Sequence, residues 1–357
     1  MTIEELKSFY DRDPKTLEIS DSLRPAQSKL SLRGMVGSGA SLVASSLISN
    51  HVGAYLFVLN DKEEAAYFYN DLENILGSSF KVLFFPRSAR VPYQIEQTEN
   101  ANIAMRAEVL NEINKNRNQV VVVSFPEAIA EQVVTKKNLT KNTFDISLGE
   151  SYALDFVDEA LIEYGFDKVD YVYEPGQYSI RGGIVDIFSY SFDHPYRIEF
   201  FGDEVESIRK FDPVSQLSIN KMTRATVVPN VGEKMLHESH ESFLEFMPDD
   251  ALIWLKDAEF CREHVRMIQE KAETQYEELS GEMNHLKPHE LYIDPSAFQT
   301  QLSGFRVVEF GGRSLFPESK VIQYDMVPQP SFNKNFELLG NNLHNNHKQG
   351  YKNVIVS

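Results

Sequence analysis

The sequence predicts an α/β protein: a parallel-sheet domain formed from two sequence pieces, with a small α+β domain (antiparallel sheet plus helix) inserted between them. Three observations predict it. Short apolar runs alternate with amphipathic helical stretches up to residue 142. From 143 to 229 the pattern turns to period-two alternation broken by glycine turns. After 229 the apolar-run and helix pattern returns. Residues 1–24 then read as an N-terminal helical extension or linker, 25–142 as the first piece of the α/β domain, 143–229 as the insertion and 230–357 as the second piece.

The first piece opens on "LSLR" (30–33), a short strand leading into a glycine-rich turn and an apolar helix. "AYLFVLN" (54–60) is the next strand, and "DKEEAAYFYNDLENILG" has helical periodicity closed by glycine. "KVLFFP" (81–86) is a strand stopped by proline. "TENANIAMRAEVLNEINKN" places Ile103, Ala107 and Leu110 on one helical stripe, and "QVVVVSF" (119–125) is a buried strand. In the insertion, "ESYALDFVDEALIEYGF" is helical. Residues 169–213 alternate, with turns at Gly182-Gly183, Asp193-His194-Pro195 and Gly202-Asp203. The second piece holds strand-like "DDALIWLKD" (249–257), a long charged helix from Ala258, and strand-like "GFRVVEFG". "LGNNLHNNHKQG" reads as a helix end and loop. Ending on strand-like "KNVIVS" leads to the expectation of a longer parent chain.

Thirty-five basic residues against fifty-three acidic ones give a formal net charge of −18. Nucleic-acid backbones are gripped by Lys and Arg displacing counterions, so a chain this acidic is a poor DNA-gripping module on its own. The densest basic cluster, "TKKNLTKN" (135–142), reads as a solvated loop. The acidity points to a protein partner carrying positive charge. No 18-residue apolar run is present, which argues against a membrane span, and the acidic start is not a secretory signal. One cysteine, Cys261, fits a reducing, cytoplasmic setting.

The turn "LRGMVGSGASL" has the spacing of a phosphate loop: Gly34, Gly39 and Ser41 are in place, but Ala40 stands where the lysine belongs. The second half of such a site is an apolar strand ending in Asp-Glu, whose carboxylates handle Mg²⁺. In "ALIWLKDAE", Lys256 and Asp257 occupy that position, and an ammonium there repels the metal. Damage at both halves marks a P-loop-type fold kept without its chemistry, with no cofactor. Other constellations are weaker. His237 and His240 in "HESHES" are three apart rather than the four of a zinc helix, and Cys261 falls in an amphipathic helix without a base partner.

With these segments together, the chain resembles the N-terminal part of the bacterial transcription-repair coupling factors (Mfd), itself related to the damage-verifying helicase UvrB. "PGQYSIRGGIVDIFSYSFDHPYRIEFFGDEVESIRKFDPVSQLS" (175–218) is similar to the family's signature. "FLEFMPDDALIWLKDAEF" resembles the UvrB segment bearing its Asp-Glu pair, and residues 30–47 resemble the UvrB phosphate loop. The resemblance spans residues 25 to 357. UvrB keeps the loop lysine, the Asp-Glu pair and an aromatic-rich DNA-clamping hairpin, for which the stretch after "FFPRSARVPYQIEQ" leaves no room.

The resemblance therefore implies a non-catalytic recruitment module that binds UvrA and brings excision repair to a stalled RNA polymerase. In the family, the ATP-driven translocase working on double-stranded DNA lies in domains absent here. The alternatives are a UvrB-like helicase fragment with residual ATP binding, or a DNA-binding module.

Alternation in "PYRIEFFGDEV" independently sorts Tyr196, Ile198 and Phe200 to one face and Arg197, Glu199 and Phe201 to the other. A phenylalanine beside an arginine on the polar face fits either an ordinary surface with an incidental exposed ring or the anchor of a docking interface. Arg181 lies opposite Tyr178 and Ile180, just before the glycine pair. The resemblance implies that Arg181, Arg197 and Phe201 are the residues contacting UvrA, in agreement with the faces.

Overall fold

Runs such as Val120–Ser124 and Ala54–Val58 are buried at every position, as strands of a sheet covered on both faces must be. The computed structural model describes residues 2–88, 100–115, 120–231, 240–278 and 286–353. Seven strands form one sheet in the order Lys320–Gln323, Lys29–Arg33, Arg306–Phe310, Leu252–Leu255, Ala54–Val58, Val120–Ser124, Val82–Phe84. Every neighbouring pair is parallel. The four strands before residue 125 and the three after 251 thus build one body from two sequence pieces. At its centre Trp254 and Phe57 lie 5.5 Å apart, both fully buried.

Several helices start where the chain supplies a capping side chain. Asp61 accepts from the Glu64 amide ahead of Lys62–Leu76, and Asp294 caps Pro295–Ser303. Helices Ile3–Asp11 and Pro14–Ser22 pack on the body: Ile19 is fully buried and Ser46 Oγ donates to Asp11 Oδ1 at 2.6 Å. No helix among the described residues is long and apolar enough to cross a membrane.

The insertion leaves and re-enters the body through an antiparallel pair, Phe144–Ser147 with Arg224–Val227. Beyond it lies a six-stranded sheet, in the order Ser218–Met222, Glu204–Phe211, Tyr196–Phe201, Ile184–Ile187, Gln177–Arg181, Asp167–Lys168. It is antiparallel except for its last pair. Helix Leu154–Glu163 buries Val157 and Leu161 against this unit, and its Asp158 accepts from Lys168 Nζ (2.8 Å) and Tyr178 OH (2.6 Å).

Some local expectations change. The basic cluster 135–142 is a helix, Lys136–Asn142, rather than a loop. Thr135 caps it and fully buried Leu139 pins it to the core. "LGNNLHNNHKQG" belongs to a full helix, Phe336–Lys348, started by an Asn335 cap. His240 sits on a short strand, His240–Glu241, paired with Val133–Val134. His237, most of the 84–97 stretch and the end of "KNVIVS" lie outside the described residues.

Candidate functional site

Two places carry the residues singled out from the sequence. The first is the phosphate-loop turn. Strand Lys29–Arg33 runs into it and helix Gly39–Asn50 leaves it, so the strand–turn–helix geometry survives. Gly34 has φ +74°, and a Cβ there would lie 2.0 Å from the Tyr324 carbonyl oxygen, so only glycine fits against the chain returning at 323–326.

The turn borders a cleft of about 690 Å³ whose lining includes Gly34, Ala40, Ser41, Glu64, Asp71 and Lys256. Each polar group that nucleotide chemistry would use is turned inward on the protein. Ser41 Oγ donates to Asp71 Oδ2 at 3.0 Å, and Lys256 Nζ reaches Glu64 Oε1 at 2.5 Å. Asp257 instead caps the following helix by accepting from the Phe260 amide, with Arg313 4.0 Å away. The Met326 side chain covers Gly39 at the helix start. Two carboxylates against one ammonium make the cleft a poor host for a polyphosphate.

The second place is the outer face of the inserted sheet. Along Tyr196–Phe201 burial alternates as the sequence predicts: Tyr196, Ile198 and Phe200 are buried, whereas Phe201 is 79% exposed. Cross-strand register places Ser179, Asp186, Arg197 and Arg209 in one row. Asp186 is wholly buried and accepts from Arg181 Nη2 (2.6 Å), Arg197 Nε (2.7 Å) and Arg197 Nη2 (2.9 Å).

Each guanidinium is held further. Arg181 donates to Ser179 Oγ at 2.8 Å and to the Asp170 carbonyl, and lies 4.9 Å from the Tyr171 ring centre. Arg197 donates to Gln216 Oε1 at 3.0 Å and lies 4.3 Å from the Phe211 ring centre. Its bonds to Asp186 hold the guanidinium pKa above its ordinary value. Beside this group Arg209 pairs with Glu199, which also accepts from Ser207.

The structure therefore joins Arg181 and Arg197 through one carboxylate, while Phe201 stands apart. It lies four residues along the strand from Arg197, a separation of about 13 Å at strand rise. It ends the strand at the turn Gly202-Asp203. The glycine pair before it works as the sequence suggests. Gly182 takes φ +61°, and a Cβ on Gly183 would come within 2.7 Å of the Phe200 carbonyl oxygen.

Sequence reasoning missed Asp186, although an aspartate inside the apolar strand "IVDIF" requires a cationic partner when buried. It also missed Glu64, which pairs with Lys256, and Asp71, which accepts from Ser41. Those lie far from the cleft in sequence and carry no local signal.

The family described as UvrB interaction domain matches residues 144–232. Over 228 residues, 64% of this chain, the sequence is 27% identical to the transcription-repair-coupling factor of Bacillus subtilis, and it covers 19% of that protein. Against the same factor from Myxococcus xanthus it is 27% identical over 59% of this chain and 18% of the relative. The UvrABC system protein B of Ureaplasma parvum is 26% identical over 62% of the chain and 35% of its own length. The chain thus spans less than a fifth of the coupling factors it matches. By these matches the chain is similar to a part of the transcription-repair-coupling factors and of UvrABC system protein B, and its inserted unit is similar to the UvrB interaction domain.

Proposed function

We propose that this chain is a non-catalytic docking module that binds UvrA through the outer face of its inserted unit, residues 143–229. The single observation that carries the reading is the composition and exposure of that face: two arginines held on Asp186 and, four residues further along the Arg197 strand, Phe201 at 79% exposure. Arginine and aromatic anchors on a sheet are what a protein interface uses. In a longer parent of the coupling-factor type, docking would bring the excision-repair machinery to a stalled RNA polymerase. Translocation on double-stranded DNA would fall to domains outside this chain.

Nucleotide hydrolysis is no part of the proposal. A hydrolytic site needs a cation on the β and γ phosphates and carboxylates free for Mg²⁺. Here Ala40 offers no charge, and Lys256 is engaged by Glu64. The test is calorimetric titration of UvrA with this chain and with an Arg181→Ala, Arg197→Ala, Phe201→Ala variant of verified fold. Binding by the first and loss in the second is the expected result. Equal binding by both would remove these residues from the site.

A further inference from the structure

We propose that Asp186 is the positioning residue of this docking face: it presents Arg181 and Arg197 to the partner as one pre-arranged unit. The proposal rests on the UvrA-docking reading above. The three residues come from three consecutive strands, Gln177–Arg181, Ile184–Ile187 and Tyr196–Phe201, with Asp186 on the middle one. Its carboxylate is wholly buried and receives three charge-assisted bonds of 2.6 to 2.9 Å from the two guanidiniums. Both arginine side chains remain partly exposed, at 35% and 18%, so the charge that is hidden is the acid and the charges that are offered are the bases.

Two consequences follow from this arrangement. Arginines fixed before docking lose less side-chain freedom on binding than free ones would. Two positive groups on one negative group leave a single net positive charge, and the partner surface that completes it presents a carboxylate. That surface also offers apolar area to Phe201 and to Tyr171, which is 55% exposed and stacked on Arg181. The second support of the unit is Gln216, whose Oε1 accepts from Arg197 while its Nε2 donates to the Val172 and Pro213 carbonyls. It ties the 212–217 loop, the 169–176 loop and the arginine into one rim.

The test compares UvrA affinity, by calorimetry, for the wild-type chain, Arg197→Ala, Asp186→Asn, the double variant, and Gln216→Ala. Thermal unfolding is followed on each. Asp186→Asn, which touches no partner atom, is expected to weaken binding about tenfold or more. Its effect in the Arg197→Ala background is expected to be clearly smaller than in the wild type, because both changes disable the same unit. A purely structural role for Asp186 would give additive effects that track the thermal midpoint, and additivity overturns the proposal.

Wild-type affinity in Asp186→Asn, with Arg197→Ala impaired, also overturns it and leaves the docking reading standing. If Arg197→Ala binds as the wild type does, this proposal fails while UvrA docking stands; if the wild type itself does not bind UvrA, the docking reading fails and takes this proposal with it. If Asp186→Asn does not fold, Gln216→Ala decides. It keeps the buried pair and releases one side of Arg197, so weakened binding supports pre-arrangement and unchanged binding refutes it.

Discussion

Lys256 and Glu64 meet at 2.5 Å across the cleft beside the phosphate-loop turn, the ammonium at the end of one strand and the carboxylate in the first turn of the Lys62–Leu76 helix. Both line the cleft that a nucleotide would use, and the lysine there is already paired. A fluorescent ATP analogue is therefore expected to give no saturable binding to this chain. Lys256→Ala leaves Glu64 and Asp71 lining the cleft without that cation, and should create no affinity either. Saturable nucleotide binding by the wild type would overturn this account of the cleft.

Phe201 separates docking from stability. Being 79% exposed, it contributes little to the fold, and Phe201→Ala should change unfolding free energy by no more than about 0.5 kcal/mol. As an aromatic anchor it should cost about 2 kcal/mol in UvrA binding, roughly a thirtyfold weaker complex. Urea unfolding and calorimetry on one preparation give both numbers.

A second buried ion pair supports the body. Arg106 Nη1 lies 3.0 Å from Glu131 Oε2, and both side chains are almost fully buried. Arg106 also donates to the Pro86 carbonyl and lies 4.3 Å from the Phe85 ring centre. Glu131→Gln removes the negative partner and leaves a buried guanidinium without its counter-charge. The expected loss is about 3–5 kcal/mol, read as a lowered denaturant midpoint.

Acid should loosen the insertion through Asp158. Hydrogen bonds from Lys168 and Tyr178 hold its carboxyl below the ordinary value of 3.8. A depressed carboxyl stabilises the fold above its unfolded pKa, and that contribution disappears as pH falls through the folded value. Stability in the wild type should therefore drop below about pH 4 more steeply than in Asp158→Asn. Tryptophan does not report this region, since Trp254 lies in the body. Amide NMR signals of Leu154–Glu163 are the suitable probe.

Cys261 is buried, and burial pushes its thiol pKa upward. It should resist a disulfide reagent at pH 8 in the native chain and react fully once the chain is unfolded. Rapid native reaction would mean that the Ala258–Glu278 helix opens far more readily than its packing implies.

Much of this was legible because the signals are local. Strand-like stretches such as "VVVVS" and "LIWL" marked six of the seven body strands, and period-two alternation sorted Phe201 from Phe200. The edge strand Lys320–Gln323 was not legible: only Ile322 in it is buried, so four residues carry no pattern. The helix Lys136–Asn142 was hidden because one buried leucine and a threonine cap outweigh a polar composition. The organisation of the proposed docking face lay beyond sequence reasoning for a different reason. Which arginines share Asp186 depends on strand register, and register is a property of the assembled sheet.

The central claim is the location of the docking face, and hydrogen–deuterium exchange of this chain with and without UvrA tests it most directly. The account predicts slowed exchange at 179–187, 196–203 and 212–217, with the cleft segments 34–41 and 252–257 unchanged. Slowing confined to the cleft segments, or absent from the inserted sheet, would contradict it.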